Sequence, residues 1–321
     1  MSLIFLENHV SSGSRQILEI CPEVTIGVTP SPFSRQTLGF TEVTLDSAVT
    51  KEDSNTILGN RLASKGVITG VDYTGDINAE AKFGDYDQLI EAAAFNKFEV
   101  GVPAVGSDKL TFGGSVRQTF SILRGYEDIA NYHTFSGVHV NTFNLDIPEQ
   151  GIVTFGFGLM GKKRVVANGA APAGTVVNAS NNPSLSNVSV GQILLDGVSQ
   201  AGTACVSAFS FAWDNSMQVQ RCLGLGLEIG AIIETLANGT GSFTAAWSAG
   251  SAANYEKQFT NTTISLVIPF TDTEGNEYEL TLPEIEITGS LPSGGNSDLL
   301  QATFEYRVVE QAPTLVRTPF A

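Results

Sequence analysis

Two stretches of this chain present the same order of elements, and that repetition restricts the folds open to it. Residues 67–95 read as an alternating strand, a glycine break and a short apolar helix. Residues 205–237 read the same way, and each stretch is followed by a β-hairpin region and closing strands, at 138–161 and 282–309. Leu89-Ile90-Glu91 falls over Ile232-Ile233-Glu234 at an offset of 143, and Phe155-Gly156-Phe157 over Phe304-Glu305-Tyr306 at an offset of 149. Identity between the copies is low, so the match rests on element order. A tandem β-rich unit suits a builder of symmetric assemblies better than a chain housing one unique site.

With 321 residues the chain has length for two cores, and an apolar share of 42% excludes a disordered polymer. No run reaches the roughly 18 apolar residues of a membrane span. The start of the chain has no basic region before its short apolar stretch and makes a poor signal peptide. Cys21, Cys205 and Cys222 are expected to be small buried residues in a reducing compartment, which gives cytoplasmic synthesis as the default. The net charge is −16, with 13 basic and 19 acidic residues up to position 165 and 4 and 14 after it. Such a surface repels phosphate and argues against nucleic-acid binding, while it suits a passage along which a polyanion slides. Plain solubility explains the charge equally well.

Period-2 segments and 33 glycines indicate a mostly β protein. The clearest strand is 71–83, where Asp72, Thr74, Asp76, Asn78, Glu80 and Lys82 alternate with Val71, Tyr73, Ile77, Ala79, Ala81 and Phe83. Glu284 and Glu286 alternate with Ile285 and Ile287 by the same logic. Asp272–Asn276 reads as a hairpin tip whose oxygens resemble part of a calcium loop without its downstream acid. Asp85 with Gln88 predicts a capping box opening a helix over 86–95, and a second helix is expected over 228–237, ending at Asn238-Gly239. Residues 166–200, rich in Ala, Gly, Asn and Ser, read as a linker or surface loop. The ends read as arms, and Pro313 and Pro319 rule out a regular C-terminal element.

No motif carries catalysis. Gly224-x-Gly226-x-x-x-Gly230 has the wrong spacing for a dinucleotide loop and reads as structural glycine at a strand–helix corner. His9, His133 and His139 are scattered, and His133, His139 and Asp128 lack ligand spacing. Lys162-Lys163-Arg164, the one basic cluster, suits a solvated loop or an inter-subunit salt bridge. No cofactor or metal is expected, and no enzyme activity.

Three stretches carry a resemblance. Glu23 to Pro30 (EVTIGVTP), residues 115–161 and residues 282–309 resemble the tail tube proteins of long-tailed bacteriophages with non-contractile tails. The resemblance implies a mainly β fold: two tandem tail-tube-like β-sandwich or barrel units, each with a short flanking α-helix, plus extended terminal arms. The corresponding division is an arm at 1–27, a first unit at 28–165, the linker at 166–200, a second unit at 201–310 and an arm at 311–321. It also implies strands joining between subunits into a lumen wall, with stacked rings forming the conduit for DNA ejection. Expected partners are further copies of the chain and the tape measure, tail terminator and tail tip proteins. DNA would pass without specific binding, no membrane is involved, and the location is the virion tail.

The duplication predicts three chains per ring with pseudo-sixfold symmetry, a hexamer of undivided subunits being the alternative. The 166–200 loop and the arms would make contacts between rings. By alternation the lumen-lining candidates are Asp72, Asp76 and Glu80 in the first unit and Glu284 and Glu286 in the second, with outer solvent or a subunit interface as the competing placement. Two other classes remain. A virion or cell-surface β-sandwich that binds or decorates would expose an aromatic patch, but Tyr73, Phe83, Phe155, Phe157, Phe209, Phe211 and Trp213 fall on inward phases. A hydrolase would need carboxylates facing across a cleft, and Glu284 and Glu286 are only an i, i+2 pair about 7 Å apart.

Overall fold

A computed structural model describes residues 10–57, 61–62, 65–200 and 205–320. The first half of the chain carries β1 (Gln16–Pro22), β2 (Arg35–Thr37), β3 (Glu42–Val43), β4 (Asp46–Glu52), β5 (Val67–Glu80), helix α1 (Asp87–Ala94), β6 (Glu99–Val100), β7 (Asp108–Thr111), β8 (Phe120–Tyr126), β9 (Asn131–Ile147), β10 (Thr154–Gly161) and β11 (Lys163–Asn168). Short strands β12 (Val176–Val177), β13 (Leu194–Leu195) and β14 (Val198–Ser199) follow. The second half carries β15 (Val206–Asp214), β16 (Gln218–Gln220), β17 (Ala231–Ile233), β18 (Asn238–Ala246), helix α2 (Ala249–Lys257), β19 (Ile264–Thr271), β20 (Glu277–Gly289), β21 (Gln301–Val308) and β22 (Thr314–Thr318). The fold is mainly β.

One antiparallel run crosses both halves, in the order β4, β5, β10, β9, β15, β18, β21, β20. β3 continues β4 along the same margin of β5. Alternation sends Phe143, Phe155, Phe157, Phe209, Phe211, Phe243 and Phe304 to one side of this sheet, where all are buried. Burying each aromatic ring contributes about 2–3 kcal/mol, so this wall dominates the core. Phe112 packs edge-on against Phe211 and Trp213, tying the first half's chain to the second half's strand.

Two strands are long enough to belong to two sheets. Phe120 pairs with Val138 but Ile122 pairs with Phe135, so β9 holds extra residues and bends there. Its first half then pairs with β8 and β11, and β8 carries β1 on its other margin. β20 repeats this design: Ile264 pairs with Ile285 and Leu266 with Leu282. Its first half pairs with β19 and β22, and β19 carries β13. A helix follows β5 and another follows β18. The two halves therefore repeat one pairing pattern, with β5, α1, β8, β9, β10 and β11 matching β18, α2, β19, β20, β21 and β22.

That correspondence corrects the repeat read from the sequence. The stretch 205–237 does not mirror 67–95, because β5 matches β18 rather than β15. No helix forms over 228–237: Ile232 is buried within β17, which pairs with β16, and Gly230 donates its N–H to the Gln220 carbonyl. Two β-branched isoleucines in a three-residue apolar run favour the strand. The second helix is α2, which is opened by Ser248 and Ser251 in a reciprocal capping box. Gly224 and Gly226 adopt positive φ in the turn between β16 and β17, not at a strand–helix corner.

Helix α1 forms where expected, but its N-cap is Tyr86 and no side chain caps it, so Asp85 and Gln88 make no capping box. The alternating strand begins at Val67 and ends at Glu80. Of the seven aromatics placed on inward phases, Phe83 alone is only partly buried. Pro313 and Pro319 flank β22 without preventing it, since neither lies inside the strand. The N-terminal arm contributes β1, with Leu18 and Ile20 buried, while its residues 1–9, including His9, lie outside the described residues. Residues 166–200 cross the surface yet bury Leu185 and Leu195 and bridge Lys82, Ile152 and Phe270. Cys205 and Cys222 are exposed, and only Cys21 is buried. The Asp272 carboxylate accepts from the amides of Glu274 and Asn276, which closes the 272–276 hairpin tip from within.

Candidate functional site

The face of the eight-stranded run opposite the phenylalanine wall is built from hydroxyls, amides, glycines and acids. By alternation it carries Glu42, Asp46, Asp76, Asn78 and Glu80 at one side, Thr142, Asn144, Asp146 and Ser210 at the centre, and Glu286, Thr303 and Glu305 at the other. Ser210 and Ser242 share a hydrogen bond of 3.0 Å, as do Thr244 and Thr303, and Asn78 Nδ2 donates to Glu42 at 3.2 Å. Glycine is required where the face is tightest: a Cβ on Gly158 would stand 2.3 Å from Thr142 Oγ1. Partial burial pushes the Asp146 carboxyl above the usual carboxylate range. Arg307, paired with Glu286 at 2.6 Å, is the one basic side chain this alternation places there. The surface is acidic and hydroxylated.

Asp76 and Glu80 lie on this face, with Ser184 donating to Glu80 at 2.7 Å, and Glu286 lies on it beside Arg307. Asp72 shares their phase but sits beyond the end of β10, where Arg221 pairs with it. Glu284 falls at the bend of β20, outside the alternation, and accepts from Gln311 at 2.9 Å. Lys163 and Arg164 reach carboxylates of the same chain, Glu228 at 3.9 Å and Asp46 at 3.7 Å. Asp128, His133 and His139 do not come together as a ligand set, and among the described residues no group of three or more His, Cys, Asp or Glu could hold a metal.

The two margins of the run are open. β4 pairs only with β5 among the described residues, and the last part of β20 pairs only with β21. Val309 donates its N–H to the Glu284 carbonyl, which sets the ladder's phase and turns the amides of Ile285, Ile287 and Gly289 away from β21. The Gly289 amide is met there by the Gln258 side chain at 3.2 Å, whose own buried Nε2 has no partner. Exposed strand margins of this kind are templates for another strand.

Two further arrangements escaped the sequence reading. Asp87, buried at the start of α1, accepts from the Tyr278 hydroxyl and pairs with Arg317 of β22, which also holds Asp108 at 2.9 Å and stands 4.3 Å from the Phe98 ring. Glu23, first residue of the stretch that carried the resemblance, accepts from Gly27 N at 2.7 Å, Gly137 N at 2.8 Å, Ser121 Oγ at 2.7 Å and Thr119 Oγ1 at 2.9 Å. It pins the 23–30 loop, whose Val24, Ile26 and Val28 are exposed. The polar donors at 119 and 121 were the legible signal for a partly buried acid.

A search among curated proteins finds no match. A family model described as phage tail tube protein matches residues 13–308, which spans both halves of the chain and nearly all of its described strands. The chain belongs to the phage tail tube protein family and is a structural protein of the virion tail.

Proposed function

We propose that three copies of this chain close their eight-stranded runs into one ring of twenty-four strands, and that stacked rings form the tube. The observation that carries this is the strand run itself: two open margins, with a β9–β15 junction that already joins one repeat to the next. A barrel of twenty-four strands spaced about 4.8 Å and tilted about 40° has a backbone diameter of about 48 Å, whereas six whole chains would need about 95 Å. The smaller value leaves a bore suited to a DNA duplex once side chains are in place.

In this reading the acidic, hydroxylated face lines the bore, with Asp76, Glu80 and Glu286 among its residues, and repels DNA phosphates so that the genome slides. Asp72 and Glu284 take positions toward the ends of the lining. The tape measure protein occupies the same bore before ejection, and the terminator and tip proteins cap its ends. The 23–30 loop and the 166–200 segment lie outside the strand run and are available for contacts between rings. Electron microscopy of the purified chain tests the reading: hollow rings or tubes with three chains per ring support it, and uniform compact particles at assembly concentrations refute it.

A further inference from the structure

We infer the register of the junction between neighbouring chains: β4 of one copy adds antiparallel to the open margin of β20 of the next, with Ala48 opposite Thr288 and Val49 opposite Ile287. This rests on the ring reading above and goes further by assigning the strands and the residue pairs.

The β9–β15 junction supplies the template, because the pairing pattern fixes which residues are equivalent. Val138 and Ile285 each oppose the first residue of the preceding strand, Phe120 and Ile264. Two residues on, Val140 pairs with Leu159 and Ile287 with Tyr306, so Leu159 matches Tyr306 and Phe157 matches Phe304. Phe157 lies between Phe143 and Ile77, and Phe304 between Gly289 and Phe243. Gly289 therefore matches Phe143, and β18 follows β5 in step. Since Tyr73 pairs with Ser47 and Gly239 with Trp213, Ser47 matches Trp213.

Within the chain, Trp213 pairs with Phe143. Its equivalent between chains is Ser47 opposite Gly289, and antiparallel order then places Ala48 on Thr288, Val49 on Ile287 and Thr50 on Glu286. The two faces agree across this seam. Val49 and Ile287 both lie on the core phase, since Val49 pairs with buried Val71, while Ala48, Thr50, Glu286 and Thr288 lie on the polar phase. Val49 is 49% exposed in the isolated chain, and this register covers it with an apolar partner. A slip of one residue would set Val49 against a polar position and bury the mismatch. The Gly289 amide, now held by the Gln258 side chain, gains a backbone partner.

Paired cysteines test the register in a Cys205→Ser, Cys222→Ser background. Ala48 and Thr288 are exposed and on opposite margins of the same chain, about 34 Å apart across seven strand spacings, so a disulfide between them joins two chains. The expected result for Ala48→Cys with Thr288→Cys is a covalent trimer on oxidation, formed about tenfold faster than with the diagonal pairs Ala48→Cys with Glu286→Cys or with Ser290→Cys, whose Cβ separation is too long for an unstrained bridge. Assembly of the reduced protein into rings shows that the variant folds. Rings that cross-link faster through a diagonal pair, or not at all, overturn the register while leaving the three-chain ring intact. If neither the reduced variant nor the parent assembles, the ring reading itself fails and the register with it.

Discussion

Arg317 joins the end of the chain to the first helix, and removing it should cost about 3 kcal/mol of folding stability. Asp87 is only 8% exposed at its side chain and Arg317 is 29% exposed. In Arg317→Met the guanidinium that stands over Phe98 is lost, and Asp87 keeps a buried charge with only the Tyr278 hydroxyl to answer it. Breaking a buried pair from one side costs about 3–5 kcal/mol, and the partial exposure of Arg317 sets the value near the lower end. Asp87→Asn in the same chain removes the stranded charge and should recover about 1–2 kcal/mol, a coupling expected of groups in one network. Urea unfolding of the unassembled chain, followed by fluorescence of its two tryptophans, measures both. A loss under about 1 kcal/mol, as for an exposed ion pair, or a double variant that is simply additive, would refute the argument.

Burial holds the His139 imidazole below its usual pKa, outweighing the Gly137 carbonyl and Glu23 and aided by Arg117 and Lys162. Its contribution is therefore present above the unfolded value of about 6.5 and is lost as pH falls through the folded value; His139→Gln should flatten the acid side of a stability–pH curve. Glu23→Ala strands the amides of Gly27 and Gly137 and two hydroxyls, and should cost about 2–3 kcal/mol with faster hydrogen exchange at both amides. Lysine at Asp76, Glu80 and Glu286 together should leave tubes intact and slow or block DNA ejection; normal ejection kinetics would remove these residues from the bore lining.

The legible parts of the fold were those where one period dominates. The alternation of β5 and the apolar stripe of α1 needed no tertiary information, and β10 and β21 were recognised as equivalent strands. Their offset was misjudged by two residues, 149 instead of the 147 that pairing requires, because a shift of two leaves every side chain on its own face. Helix α2 was missed because only Ser251 is buried along it, so it shows no apolar stripe, and its start is marked by serines alone. Ile232-Ile233 imitated Leu89-Ile90 over too few residues to separate helix from strand. The polar face was visible strand by strand, but which strands share it depends on pairings such as β9–β15, which link residues 62 to 72 positions apart. Asp87 was passed over as a helix-start acid because Tyr278 and Arg317 lie about two hundred positions away.

The mass of a single isolated ring tests the central claim most directly. Native mass spectrometry of rings released from short tubes should give three times 33.9 kDa, about 102 kDa. Rings of six chains, about 203 kDa, would contradict the closure of two repeats per chain around one bore.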